Sequence, residues 1–228
     1  MDFIDNVNVT LKDDLALELQ KGSMLSIVAA DFSMYAFEAL RKELSEIEEL
    51  RFIFTDPTFI QKENSKKEKR EFYIPKINRE RRIYGTEFEV KLRNELNQKA
   101  IAKECAEWIK KKVTFKSNVG NKEITTRFIV LDDIAYYTVN SYTTVDLGCE
   151  QGNTMSVRIA KFESPMSQAL IEQFTELWQN EEELKDVTNN VISSISSAYN
   201  ENAPEFIYFV TLYNIFHEFL TDISEDEL

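Results

Sequence analysis

The sequence predicts an α/β fold, and three observations carry that prediction. A strand, a helix and a second strand follow one another within about thirty residues, the spacing of a parallel βαβ unit. A long helix and several further strands succeed them, so strands and helices alternate. Sixteen phenylalanines in 228 residues supply a core large enough for one sizeable domain.

The elements follow in order. Leu11 to Gln20 reads as a short helix stopped by Gly22. Met24–Ala30 is a short apolar run and a candidate buried strand. Ser33 caps a helix expected to reach about Leu44, with Met34, Phe37, Leu40 and Leu44 on one face. Leu50–Phe54 is the second strand, stopped by Asp56-Pro57. The stretch from about residue 61 to 85 is rich in charge and poor in apolar residues, and reads as a mobile basic arm. Thr86 and Glu89 form a capping box for a long helix that buries Phe88, Leu92, Leu96, Ile101, Cys105, Trp108 and Ile109. Strands are expected at Val113–Lys116, Thr126–Leu131, Ile134–Val139 and Ser156–Phe162. From Ser164 the pattern becomes helical: one helix to Trp178, a second over Glu181–Tyr199, and a third, capped by Asn202 and Glu205, to Leu220. This divides the chain into an α/β domain over 1–163 and a helical extension over 164–228.

The net charge of −13 conceals a split. Lys62 to Arg127 holds 19 Lys and Arg against 10 Asp and Glu, while the remainder holds 8 against 30. An acidic chain is a poor nonspecific binder of nucleic acid, but a segregated basic region can meet phosphate locally. The candidates are Lys66, Lys67, Lys69, Arg70, Arg79, Arg81 and Arg82 in the arm, with Tyr73 and Tyr84 placed to stack on bases. Neither a signal peptide nor an apolar run of eighteen residues occurs, so a cytoplasmic location away from membranes is expected. Cys105 and Cys149 lack partners at metal-ligand spacing and are expected as buried thiols. No cofactor is implied: neither a P-loop nor a dinucleotide fingerprint occurs.

Residues 125–148 carry the clearest chemical pattern. Thr125, Arg127 and Asp132 precede a tight turn, a second strand and the loop Asn140-Ser141-Tyr142-Thr143-Thr144, ending in Leu147-Gly148. This resembles the phospholipase D superfamily signature, His-x-Lys-x4-Asp followed by a Ser/Asn/Thr-rich loop. The resemblance implies a mixed sheet with helices on both faces. It also implies a site in which histidine attacks phosphorus, but here Thr125 stands at that position and Arg127 at the lysine's. A threonine without an adjacent base does not replace that nucleophile, whereas arginine still holds phosphate through a planar fork. The only histidine, His217, lies in the last expected helix, outside any such motif.

A wider resemblance covers most of the chain. Residues Phe52–Phe59, Glu71–Pro75, Tyr84–Glu89 with Lys91–Asn94, Thr143–Gly148, and Tyr199–Glu201 with Pro204–Phe209 resemble the N-terminal phospholipase D-like module of bacterial superfamily-two (Swi/Snf-like) helicase-related proteins. That implies a C-terminal ATP-dependent motor beyond Leu228, DNA as a candidate partner, and a possible homodimer, since single-motif members pair to complete a site. The expected role is a non-catalytic accessory module. The alternatives are a structural dimerisation module and a nuclease that needs missing parts of the full-length protein. Asp132 is expected to orient Arg127, and the basic arm to share a face with it.

Overall fold

The computed structural model describes residues 2–55, 95–119, 124–150 and 158–197. Its strands are β1 (Asp2–Ile4), β2 (Met24–Ala29), β3 (Glu49–Phe54), β4 (Val113–Asn118), β5 (Phe128–Leu131), β6 (Ile134–Tyr137), β7 (Ile159–Phe162) and β8 (Leu184–Asp186). Its helices are α1 (Leu11–Glu18), α2 (Met34–Ala39), α3 (Arg41–Glu46), α4 (Glu95–Lys112), α5 (Gln168–Gln179) and α6 (Thr188–Ser197). The strands form one mixed sheet in the order β1-β7-β6-β5-β2-β3-β4-β8. β2, β3 and β4 are parallel, and every other pairing is antiparallel. The fold is therefore a mixed α/β sheet flanked by helices, the class expected from the sequence.

Side-chain alternation along the strands divides the core in two. Leu25, Ile27, Leu50, Phe52, Phe54, Val113, Phe115, Ile129 and Leu131 point to one face and are buried with α1, α2, α3, α4 and α6. Val28, Ile53, Phe128, Val130 and Ala135 point to the other, under Phe174 and the apolar stripe of α5. The helical face read from α4 is present in its described part: Ile101, Cys105, Trp108 and Ile109 are buried, and the Trp108 indole donates to the Leu44 carbonyl at 3.0 Å. Its expected start at Thr86, and Phe88, Leu92 and Leu96 with it, lie outside the described residues whose side chains are placed.

Four expectations change. The helix predicted from Ser33 to Leu44 breaks at Leu40 (φ −119°, ψ 20°), where the Leu40 N–H bonds back to Phe37. The break sends Leu40 and Leu44 both into the core. β1 was not foreseen, because three residues carry no period. Glu181–Tyr199 is not one helix: Asn180 ends α5, accepts the Glu183 N–H, and releases the chain into β8, which pairs with β4. α6 follows, with Val191 and Ile195 in the main core. Residues 164–197 thus belong to the sheet-bearing unit, and the expected helical extension bears only on residues from 198 on, outside the described set. Finally, Cys149 is exposed rather than buried; Cys105 is buried as expected, and burial pushes its thiol pKa well up.

One polar cluster fastens α1 to the antiparallel half of the sheet. The Lys161 ammonium, 8% exposed, lies 2.8 Å from Asp14 Oδ1 and 2.7 Å from Glu18 Oε1. The Tyr136 hydroxyl donates to the same Asp14 oxygen at 2.7 Å. Burial opposes the charge on Lys161, and the bonds and charges of Asp14 and Glu18 outweigh it, raising its pKa. Burial first, and the Asp14 bond second, raise that of Tyr136.

Truncating a buried ion-pair partner typically costs 3–5 kcal/mol; Glu18 is a third exposed, so Lys161→Met should cost about 2–3 kcal/mol in urea unfolding. Both raised pKa values stabilise fully below the unfolded-state values and are lost as pH climbs through the folded ones. The urea midpoint should therefore fall above about pH 10. The double variant Lys161→Met, Tyr136→Phe should show a flatter alkaline fall; an unchanged slope would assign that fall to other groups.

Candidate functional site

The carboxyl ends of parallel strands, where the chain leaves the sheet, form the usual crevice of open α/β sheets. Here that edge is defined by Ala29, Phe54 and Asn118. β5 is antiparallel to β2, with Val28 opposite Phe128, so Arg127 and Thr125 reach the same edge from the other direction. β6 runs back toward it, and the loop from Thr138 follows. The Thr138 N–H donates to the Arg127 carbonyl at 3.2 Å. Thr138 takes a positive φ of 73°, which turns the chain across the strand ends.

That loop is tied to the exit of β2 by four bonds. The Ala30 N–H donates to Asn140 O at 3.0 Å, the Tyr142 N–H to Asp31 O at 2.8 Å, and the Ser33 N–H to Tyr142 O at 2.9 Å. The Ser141 hydroxyl donates to the Asp31 carboxylate at 2.8 Å. Beneath them Phe32 is fully buried, with ring centroids 5.1 Å from Phe115 and 6.0 Å from Tyr142. The aromatic floor is thus set by the strands, and the polar rim by the loop.

Arg127 brings the charge. Its Nε is buried without a hydrogen-bond partner, and among the described residues no carboxylate pairs with it. The Thr55 hydroxyl, on a residue 3% exposed, is likewise without a partner. Asn118 donates to the Thr55 carbonyl at 3.4 Å. Thr125 is exposed and Asn140 is exposed. The chemistry on offer is hydrogen-bond donation from a guanidinium, an amide and a hydroxyl, with no imidazole or thiolate beside them among the described residues. Nor does any group of His, Cys, Asp and Glu there suit a metal ion.

Asp132 does not orient Arg127. It occupies the β5–β6 turn at φ 52°, at the far end of β5. Its carboxylate accepts the Met24 N–H at 2.9 Å. Five residues of extended chain separate the two positions by about 16 Å, beyond any direct bond. Asp132 instead fixes the hairpin to the start of β2. Lys66, Lys67, Lys69, Arg70, Arg79, Arg81, Arg82 and His217 lie outside the described residues. Asp31, Thr55 and Asn118 were missed. Their signal was positional: each ends or follows a strand whose partners only the sheet order reveals.

No family model matches the sequence, and no curated protein matches it. Among solved structures, the chain is similar to the crystal structure of phosphatidylserine synthase from Haemophilus influenzae Rd KW20. The TM-score is 0.48 and the identity 14%, over 82% of this chain and 39% of that one. The chain therefore spans less than half the length of that protein. No helix among the described residues is long and apolar enough to cross a membrane.

The loop closes on Gly148, at φ 77°, where an added Cβ would stand 2.7 Å from Asn6 Oδ1. That oxygen accepts the Leu11 N–H at 2.8 Å, while the Asn6 amide donates to Asp146 O at 2.8 Å. Gly148→Ala meets both strain and a clash, so it should destabilise by about 1–3 kcal/mol. It should also speed amide exchange at Leu11; unaltered exchange there would show the Asn6 bridge to be dispensable.

Proposed function

We propose that the chain is a non-catalytic, phospholipase D-like accessory module that binds nucleic acid on behalf of a helicase or translocase motor. The observation that carries the binding half is Arg127: a guanidinium at the carboxyl edge, its Nε buried without a partner, beside the Asn140–Ser141 loop. A cation that pairs with no carboxylate among the described residues, at such an edge, is suited to a phosphate oxygen. The non-catalytic half is supported by Thr125, exposed at the nucleophile's position with no described base nearby. The motor, and with it a superfamily-two helicase identity for the longer protein, is supported by the sequence resemblance alone.

A structural dimerisation module is the second reading, and one observation favours it. Phe3 and Tyr137, 63% and 40% exposed, both stand opposite Ala160 in the sheet register. They leave an apolar patch beside the edge strand β1. The two readings separate on salt. Phosphate contacts release counterions, each contributing about 0.9 to the slope of log affinity against log salt on duplex DNA, whereas an apolar dimer contact is nearly indifferent.

Fluorescence anisotropy with single- and double-stranded DNA at two salt concentrations should show binding that weakens steeply with salt. Arg127→Ala should reduce affinity by about tenfold with an unchanged urea midpoint, and neither protein should cleave a phosphodiester. Absence of binding at low salt would remove the nucleic-acid function. Cleavage abolished by Thr125→Ala would remove the non-catalytic one.

A further inference from the structure

On the face of the sheet covered by α5, two cations converge on one indole. Arg51, on β3, holds its guanidinium carbon 5.0 Å from the Phe174 ring centroid and 5.8 Å from that of Trp178. Lys116, on β4, places its Nζ 4.6 Å from the Trp178 centroid. The two rings are themselves stacked at 5.6 Å. Arg51 donates one bond, to Ser26 Oγ at 2.9 Å. Lys116 donates one, to the Trp178 carbonyl at 2.7 Å, where it also meets the negative end of α5.

These bonds leave most of the donors unspent. A guanidinium has five N–H groups and an ammonium three, and among the described residues each side chain uses one. Arg51 Nε is buried without a partner. Among the described residues neither cation forms an ion pair, and Asp186, opposite Lys116 in the sheet register, accepts the Thr188 N–H instead, in a chain that carries 40 Asp and Glu against 27 Lys and Arg. In so acidic a protein a pair of half-buried cations would ordinarily recruit a carboxylate. The aromatic faces offset part of the cost of holding the two charges together, but they accept no directed hydrogen bond in the plane of the guanidinium.

We infer that Arg51, Lys116 and Trp178 form an oxyanion site, one that takes a phosphate group, free or esterified. A tetrahedral oxyanion meets both cations at once, satisfies several N–H donors and supplies the missing negative charge. The site is separate from the Arg127 crevice: it lies on the α5 face, on β3 and β4, and does not depend on the nucleic-acid function proposed above.

The chain has two tryptophans, and Trp108 is buried in the opposite core, so the two indole N–H signals of an ¹⁵N-labelled sample give a probe and an internal control. Inorganic phosphate and a short single-stranded oligonucleotide are titrated separately, with ionic strength held constant by chloride. The expected result is a saturable shift of the Trp178 signal in the low-millimolar range or below, with Trp108 unmoved. Lys116→Gln should weaken it by about tenfold or more, and Lys116→Arg should restore it. Arg127→Ala should leave it unchanged even where it abolishes DNA binding, so failure of one site is distinguishable from failure of the other. A shift with phosphate alone identifies a free ion as the ligand, and a shift with the oligonucleotide identifies a phosphodiester. If neither moves Trp178, or if Lys116→Gln responds like the parent, the cations only clamp α5 and the site does not exist.

Discussion

The pairing of Phe32 with Tyr142 is the constraint on which the rest of the crevice depends. A single parallel bridge, flanked by backbone bonds on both sides, joins the exit of β2 to a loop more than one hundred residues later. Phe32 fills the space over Phe52 and Phe115. Without it the carboxyl ends of β2, β3 and β4 would have an apolar floor open to water. With it, Asp31 is held outward to meet Ser141, and the loop from Thr138 to Gly148 is drawn across the strand ends. Tyr142 contributes through its ring, since its hydroxyl is buried without a hydrogen-bond partner among the described residues.

The sheet then sets what the crevice contains. β2 is paired in parallel with β3 and antiparallel with β5, so the chain direction reverses beside it. That reversal brings the start of β5, and Arg127 with it, to the end of β2. A wholly parallel sheet would have sent the corresponding residue to the opposite edge, where Asp132 in fact sits.

The elements legible in the sequence were those whose burial has a period. Of the central strands, Met24–Ala29 reads as an apolar run and Leu50–Phe54 as the strand before Asp56-Pro57; α4 shows its stripe because one face packs on the sheet. The misread elements owe their form to partners far away. β8 carries one inward side chain, Leu184, between charged neighbours, and becomes a strand only because β4 offers a free edge. The site was half legible for the same reason. Arg127, Asn140 and Ser141 lie in one window with a recognisable spacing, whereas Asp31, Thr55 and Asn118 join them through strand order. The role expected of Asp132 fails because the extended strand β5 holds it and Arg127 at opposite edges of the sheet.

The position of β1 has a consequence for how the chain is made. Its partner is β7, with Ile4 opposite Ile159, so the first strand leaves the ribosome 155 residues before the strand that completes it. At ordinary elongation rates that interval is on the order of ten seconds. Throughout it Ile4 lacks its strand partner, and the Asp14–Glu18 side of α1 lacks the Lys161 ammonium. The parallel strands are closer together in sequence and can assemble first. β1 therefore joins the sheet only after its central strands exist, and until β7 emerges a short apolar segment stands open on the nascent chain.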